Sequence, residues 1–126
     1  MKEFSRFFSH TFAVFSQAGH QEAHQASTWQ PPIDIYECCE KICIYVELPG
    51  ADKDKMEVVV DQGVLRIAGY RPKQLPEGVE HVYQMEIPYG SFVRFVRLPE
   101  RADVDQIQAK YENGYLIIEI PRKAVR

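Results

Sequence analysis

"AKYENGYLIIEIP", residues 109–121, carries the logic of the whole fold. Ile107, Ala109 and Tyr111 alternate with polar residues before Asn113-Gly114, and Leu116, Ile118 and Ile120 alternate after it. Period-two alternation turns one side of a strand toward a core and the other toward water. Asn-Gly between two such runs is a strong hairpin signal, because both residues tolerate the positive φ of a tight turn. The triplet Ile118-Glu119-Ile120 has the form of an apolar docking tail, yet it continues in step with Leu116. It is therefore expected to be the last strand of a sheet.

The same alternation recurs toward the N-terminus. "GSFVRFVRLP" (90–99) is a strand stopped by Pro99. "KMEVVVDQGVLRI" (55–67) is two strands, with Met56, Val58 and Val60 on one face, a turn at Asp61-Gln62-Gly63, and Leu65 and Ile67 facing in together. "KICIYVELPG" (41–50) puts Ile42, Ile44, Val46 and Leu48 on one face and ends in the Pro49-Gly50 turn, and "IDIYE" (33–37) precedes it. Pro72, Pro76 and Gly78 mark a long loop leading to a short predicted strand, "HVYQM" (81–85). The two stretches "VVVDQGVLRI" and "KYENGYLIIEI" share hairpin chemistry rather than forming a repeat. About seven or eight short strands with regular turns, and no need for a long helix after residue 29, predict an all-β, immunoglobulin-like β-sandwich.

Upstream the composition changes. Residues 1–15 hold five of the seven phenylalanines. Phe4, Phe8, Phe12 and Phe15 fall at helical spacing, with Phe7 beside them, so an amphipathic helix is expected. Two roles suit it: packing on its own domain, or acting as a sticky, partly ordered arm toward other subunits or clients. The polar stretch "SQAGHQEAHQAST" (16–28) favours the second, because a short aromatic segment on such a linker does not readily join a compact core. The chain thus divides into an arm and linker (1–28), a β-sandwich (29–121) and a very short tail (122–126).

Composition narrows the function. A net charge of -3 argues against a nucleic-acid binder. No apolar run approaches the roughly 20 residues of a membrane span, and residues 1–15 lack the continuous apolar core of a signal peptide, so a cytoplasmic protein is expected. The three cysteines, Cys38, Cys39 and Cys43, do not read as a disulfide framework. Neighbouring side chains on a strand point to opposite faces, so Cys38-Cys39 is poor zinc spacing and free thiols are expected. In "HQEAH" (20–24) the glutamate comes one position too late for a zinc-protease motif: Glu22 would sit about 200° around a helix from His20. No nucleophile elbow or phosphate-binding loop is present, and Glu57, Asp61, Glu86, Glu112 and Glu119 suit solvated strand faces. The expectation is a non-enzyme with no metal and no cofactor.

The order of the motifs is specific. "WQPPIDI" (29–35), "VELPG" (46–50), "GVLRIAGYR" (63–71), "YGSFVR" (89–94) and "AKYENGYL" (109–116) follow one another. In this order and spacing the chain closely resembles the α-crystallin domain of small heat-shock proteins, of the bacterial and plant type, with Tyr115 where the family signature usually has Val. The resemblance implies an ATP-independent holdase that binds partly unfolded client proteins. It implies dimers that assemble further, by strand exchange in which His81, Val82, Tyr83 and Met85 pair with Ile33, Ile35 and Tyr36 of a second subunit. It places Arg94 at that interface, paired with a carboxylate. It also implies a docking groove lined by Met56, Val58, Val60, Ile107, Ala109 and Tyr111, residues that serve equally as core. In such proteins an I-x-I tail normally plugs this groove. After Pro121 only "RKAVR" follows, with Val125 its one large apolar residue, so no tail anchor is expected. The groove would be empty or filled by something else, such as the aromatic arm, and assembly beyond the dimer limited or arm-dependent. Two alternatives compete: a CS-domain co-chaperone, monomeric and lacking the long loop, and a secreted carbohydrate- or adhesion-type sandwich with aromatic clusters on its loops.

Overall fold

In a computed structural model the described residues are 2–6, 12–16 and 28–124, the first two stretches as backbone only. Their strands are β1 (Lys2–Arg6), β2 (Phe12–Ser16), β3 (Ile33–Glu37), β4 (Lys41–Glu47), β5 (Glu57–Asp61), β6 (Val64–Arg71), β7 (Gly90–Arg97), β8 (Gln108–Glu112) and β9 (Tyr115–Pro121). They form two sheets, ordered β1-β2-β5-β6-β7 and β3-β4-β9-β8. Every pairing is antiparallel except β2 with β5.

The predicted alternation is the core. Ile42, Ile44, Val46 and Leu48 from one hairpin meet Val58, Val60, Leu65 and Ile67 from the facing sheet, all buried. Leu116, Ile118 and Ile120 are 0% exposed, and β9 is flanked by β4 and β8. The I-x-I triplet is thus a central strand, with both backbone edges paired. Asn113 and Gly114 take φ of 55° and 81°, and Gln62 and Gly63 take 52° and 79°, as two-residue hairpin turns require.

Two expectations fail, and a third, the strand over 81–85, is not formed within the single chain. Phe4 lies in β1, and Phe12 and Phe15 lie in β2, so these parts of the arm are strand and not helix; Phe7 and Phe8 lie outside the described residues. The run "FAVF" is β-branched and aromatic, and the free edge of β5 offers backbone partners that helical spacing cannot reveal. Residues 81–85 form no strand: 72–89 runs as loop. A strand needs a neighbour, and none reaches this segment within the described residues. Cys38 and Cys39 sit in the turn after β3 rather than along a strand.

Domain limits blur at both ends. Thr28 donates its backbone N–H to Ser91 O at 2.9 Å, Arg122 N–H reaches Glu40 O at 2.8 Å, and Lys123 N–H reaches Arg101 O at 2.7 Å.

Candidate assembly and client-binding surfaces

β3 is the outer strand of its sheet, and its far edge has no partner among the described residues. Ile35 and Tyr36 are about half exposed. An edge strand of this kind presents free N–H and C=O groups to any extended chain. The loop 72–89 carries a second set of unsatisfied apolar groups. Leu75, Val82, Met85 and Ile87 are exposed, and Tyr83 is 95% so. The loop arches over a cavity of about 710 Å³, lined in part by Leu75, Val79, Val82 and Ile87. His81 is exposed on the same arch.

The base of the arch is held firmly. Arg71 donates from Nε to Pro88 O at 3.0 Å and from Nη1 to Pro49 O at 3.1 Å, while its guanidinium lies 4.1 Å from the centre of the Trp29 ring. Trp29 Nε1 donates to Gly90 O at 3.0 Å, and its ring meets Phe92 edge-on at 5.7 Å. Arg and Trp thus tie the segment entering β3 to both ends of the loop. Arg94, expected to meet a carboxylate, is half-buried and donates Nη1 to Pro31 O at 2.7 Å. It shares an inward parity with Phe92 and Val96, so it reaches across the sandwich toward the start of β3.

Met56, Val58, Val60, Ile107, Ala109 and Tyr111 come together between the sheets, each between 0% and 8% exposed. In this chain they are core. β5 and β8 lie at the corresponding open side of the sandwich, and there the arm is seated. β2 adds to β5 in parallel, Val14 beside Val58, Phe15 beside Val59 and Ser16 beside Val60, while β1 and β2 both lie against β8.

Charged groups gather at the other end of β3. Glu37 accepts from Arg101 Nε and Nη2, the latter at 2.7 Å, and Arg122 Nε lies 3.5 Å away. The hydrogen bonds from Arg101 hold the Glu37 carboxyl below its ordinary range despite partial desolvation, and Glu37 in turn raises Arg101. Arg122 also donates to the Cys39 carbonyl at 3.0 Å, bracing the β3–β4 turn. On the outer face of the same sheet Tyr36, Tyr45 and Tyr115 stack edge to face in succession, at 6.1 and 6.5 Å. Sequence reading missed this ladder and the Arg71–Trp29 clamp. Alternation marks a residue as outward-facing but does not say which outward residues become neighbours.

Among the described residues no group of three or more His, Cys, Asp or Glu side chains is arranged to hold a metal, and no helix is long and apolar enough to cross a membrane. The "HQEAH" stretch lies outside the described residues.

Residues 34–126 match the Hsp20/alpha crystallin family. The 16.9 kDa class I heat shock protein 3 of Oryza sativa is 37% identical over 95 residues, 75% of this chain and 64% of that one. The chain therefore spans just under two thirds of that relative's length. Small heat shock protein C4 of Rickettsia felis is 35% identical over 121 residues, 95% of this chain and 71% of that one. Among solved structures, a small heat-shock protein from Xylella fastidiosa superposes with a TM-score of 0.72 at 39% identity, covering 79% of this chain and 92% of that one. A two-sheet β-sandwich with an open edge strand, a long apolar loop and these relatives makes the chain a member of the Hsp20/alpha crystallin family.

Proposed function

We propose that this protein is an ATP-independent chaperone, a holdase that captures partly unfolded proteins and keeps them from aggregating. The observation that carries the reading is a pair of complementary surfaces left open in the single chain: the β3 edge and the apolar loop 72–89. In a homodimer, His81, Val82, Tyr83 and Met85 add as a strand to Ile33, Ile35 and Tyr36 of the second subunit. Each free edge is then covered and each exposed apolar set is buried. Arg94, bonded to Pro31 at the entry to β3, holds that edge in position. The Phe-rich arm is the client-binding and assembly element: seated on β5 it covers the β5–β8 side, and released it offers large aromatic contacts to chains of varied shape. The activity needs no metal, cofactor, nucleic acid or membrane, and the cytoplasm is its expected compartment. The Xylella relative is described as having a distinct high-order structure, which fits assembly beyond the dimer.

The test is twofold: molar mass in solution, and light scattering of a heat-stressed model client with this protein added and no nucleotide present. Dimers or larger species that suppress scattering are expected. A strict monomer that leaves aggregation unchanged refutes the proposal.

A further inference from the structure

The three cysteines all belong to the β3–β4 hairpin: Cys38 and Cys39 exposed in its turn, Cys43 buried in β4. The ladder continues one step past β3. Beyond the Glu37–Ile42 pair, Cys38 N–H donates to Lys41 O at 2.8 Å. Alternation then puts Cys38, Lys41 and Cys43 on the same, outer face of the hairpin. Cys43, opposite Tyr36, lies diagonally across from Cys38 on that face. Lys41, opposite Cys38 in the ladder, is anchored to Glu119 at 3.2 Å. An exposed thiol, a covered thiol beside it and a fixed cation form a more specific arrangement than three unrelated small hydrophobes.

We propose that Cys38 and Cys43 are a peroxide-sensitive dithiol, which a hydroperoxide converts to an intrachain disulfide stapling the β3–β4 hairpin. The exposed Cys38 thiolate attacks a peroxide oxygen. The O–O bond breaks, hydroxide or alkoxide leaves, and Cys38 becomes a sulfenic acid. The Cys43 sulfur then attacks the Cys38 sulfur, the S–O bond breaks, and the hydroxide leaves as water with the Cys43 proton. The two thiols lose two electrons in all, and the peroxide gains them. The roles follow from exposure. Cys38 is exposed and meets the oxidant first. Burial raises the Cys43 thiol, keeping it protonated and shielded until its neighbour is oxidised. The consequence for assembly rests on the strand-exchange reading above: the staple closes the end of the strand that would receive the partner's loop, and subunit exchange slows.

The experiment treats the reduced full chain with equimolar hydrogen peroxide, alkylates remaining thiols under denaturing conditions, and maps cysteine pairs by mass spectrometry. The expected result is a Cys38–Cys43 cross-link with near-complete loss of free Cys43, unchanged in Cys39→Ser and absent in Cys38→Ser. Both substitutions lie at exposed turn positions, so the comparison does not depend on a core change. A cross-link between Cys38 and Cys39, a cross-link between chains, or Cys43 still alkylated after Cys38 is oxidised overturns the proposal. Molar mass measured on the same samples tests the dimer separately, so a monomer carrying the cross-link rejects strand exchange and leaves the dithiol standing.

Discussion

Arg101 and Glu37, 64 residues apart in sequence, meet through two hydrogen bonds that clamp the end of β3 to the loop before β8. The clamp depends on a carboxylate, which gives it a pH sign. Glu37 binds its proton less readily folded than unfolded, because Arg101 favours the charged form. Its contribution is therefore complete above the unfolded carboxylate range near pH ~4.3 and is lost as pH falls through the lower, folded value. Urea midpoints of the wild type and Glu37→Gln, measured from pH 7 to 3, should converge at the acid end. A constant gap across that range would show that the pair contributes nothing through ionisation.

Gly69 stands opposite Phe92 in the β6–β7 ladder, and a Cβ there would lie 2.6 Å from the phenyl Cζ. Phe92 is 0% exposed and packs edge-on against Trp29, so it has little room to retreat. Gly69→Ala should destabilise the domain by about 1–3 kcal/mol through overpacking. Denaturant unfolding of the variant checks this, and an unchanged midpoint would show that the ring can shift freely.

Ile118 tests whether the I-x-I triplet is structural. It is buried between β4 and β8, and Ile118→Ala should cost about 2–5 kcal/mol of stability. A docking tail would instead lose assembly with its thermal unfolding temperature unchanged, so calorimetry beside molar mass separates the two.

Removing 72–85 and closing the gap with a short glycine-serine turn should leave a folded sandwich and abolish the dimer. Circular dichroism reports the first and analytical ultracentrifugation the second. A dimer that survives this deletion contradicts strand exchange.

Truncation before Thr28 removes β1 and β2 and bares the β5 edge. The remaining domain should stay folded, bind more of a hydrophobic dye, form smaller assemblies and protect clients less. Unchanged assemblies and protection would mean the arm is neither assembler nor client binder.

How much of this was legible beforehand varies by element. The alternation of Ile42, Ile44, Val46 and Leu48, and of Leu116, Ile118 and Ile120, foretold which side chains are buried. The turns at Gly63 and Gly114 foretold where the chain reverses. Phe4, Phe12 and Phe15 misled, because a short apolar run satisfies helix and strand spacing alike and the choice rests on what lies beside it. The segment 81–85 has strand chemistry yet no strand geometry, because a strand exists only with a partner.

The sequence by itself determined the β class, the inward faces and the hairpin turns, since these follow from side-chain period and local φ preference. Only the tertiary structure decided that the arm joins β5 and that Arg71 clamps Trp29. Those depend on backbone edges and side chains meeting across long stretches of chain, and no local pattern encodes which edge will be free.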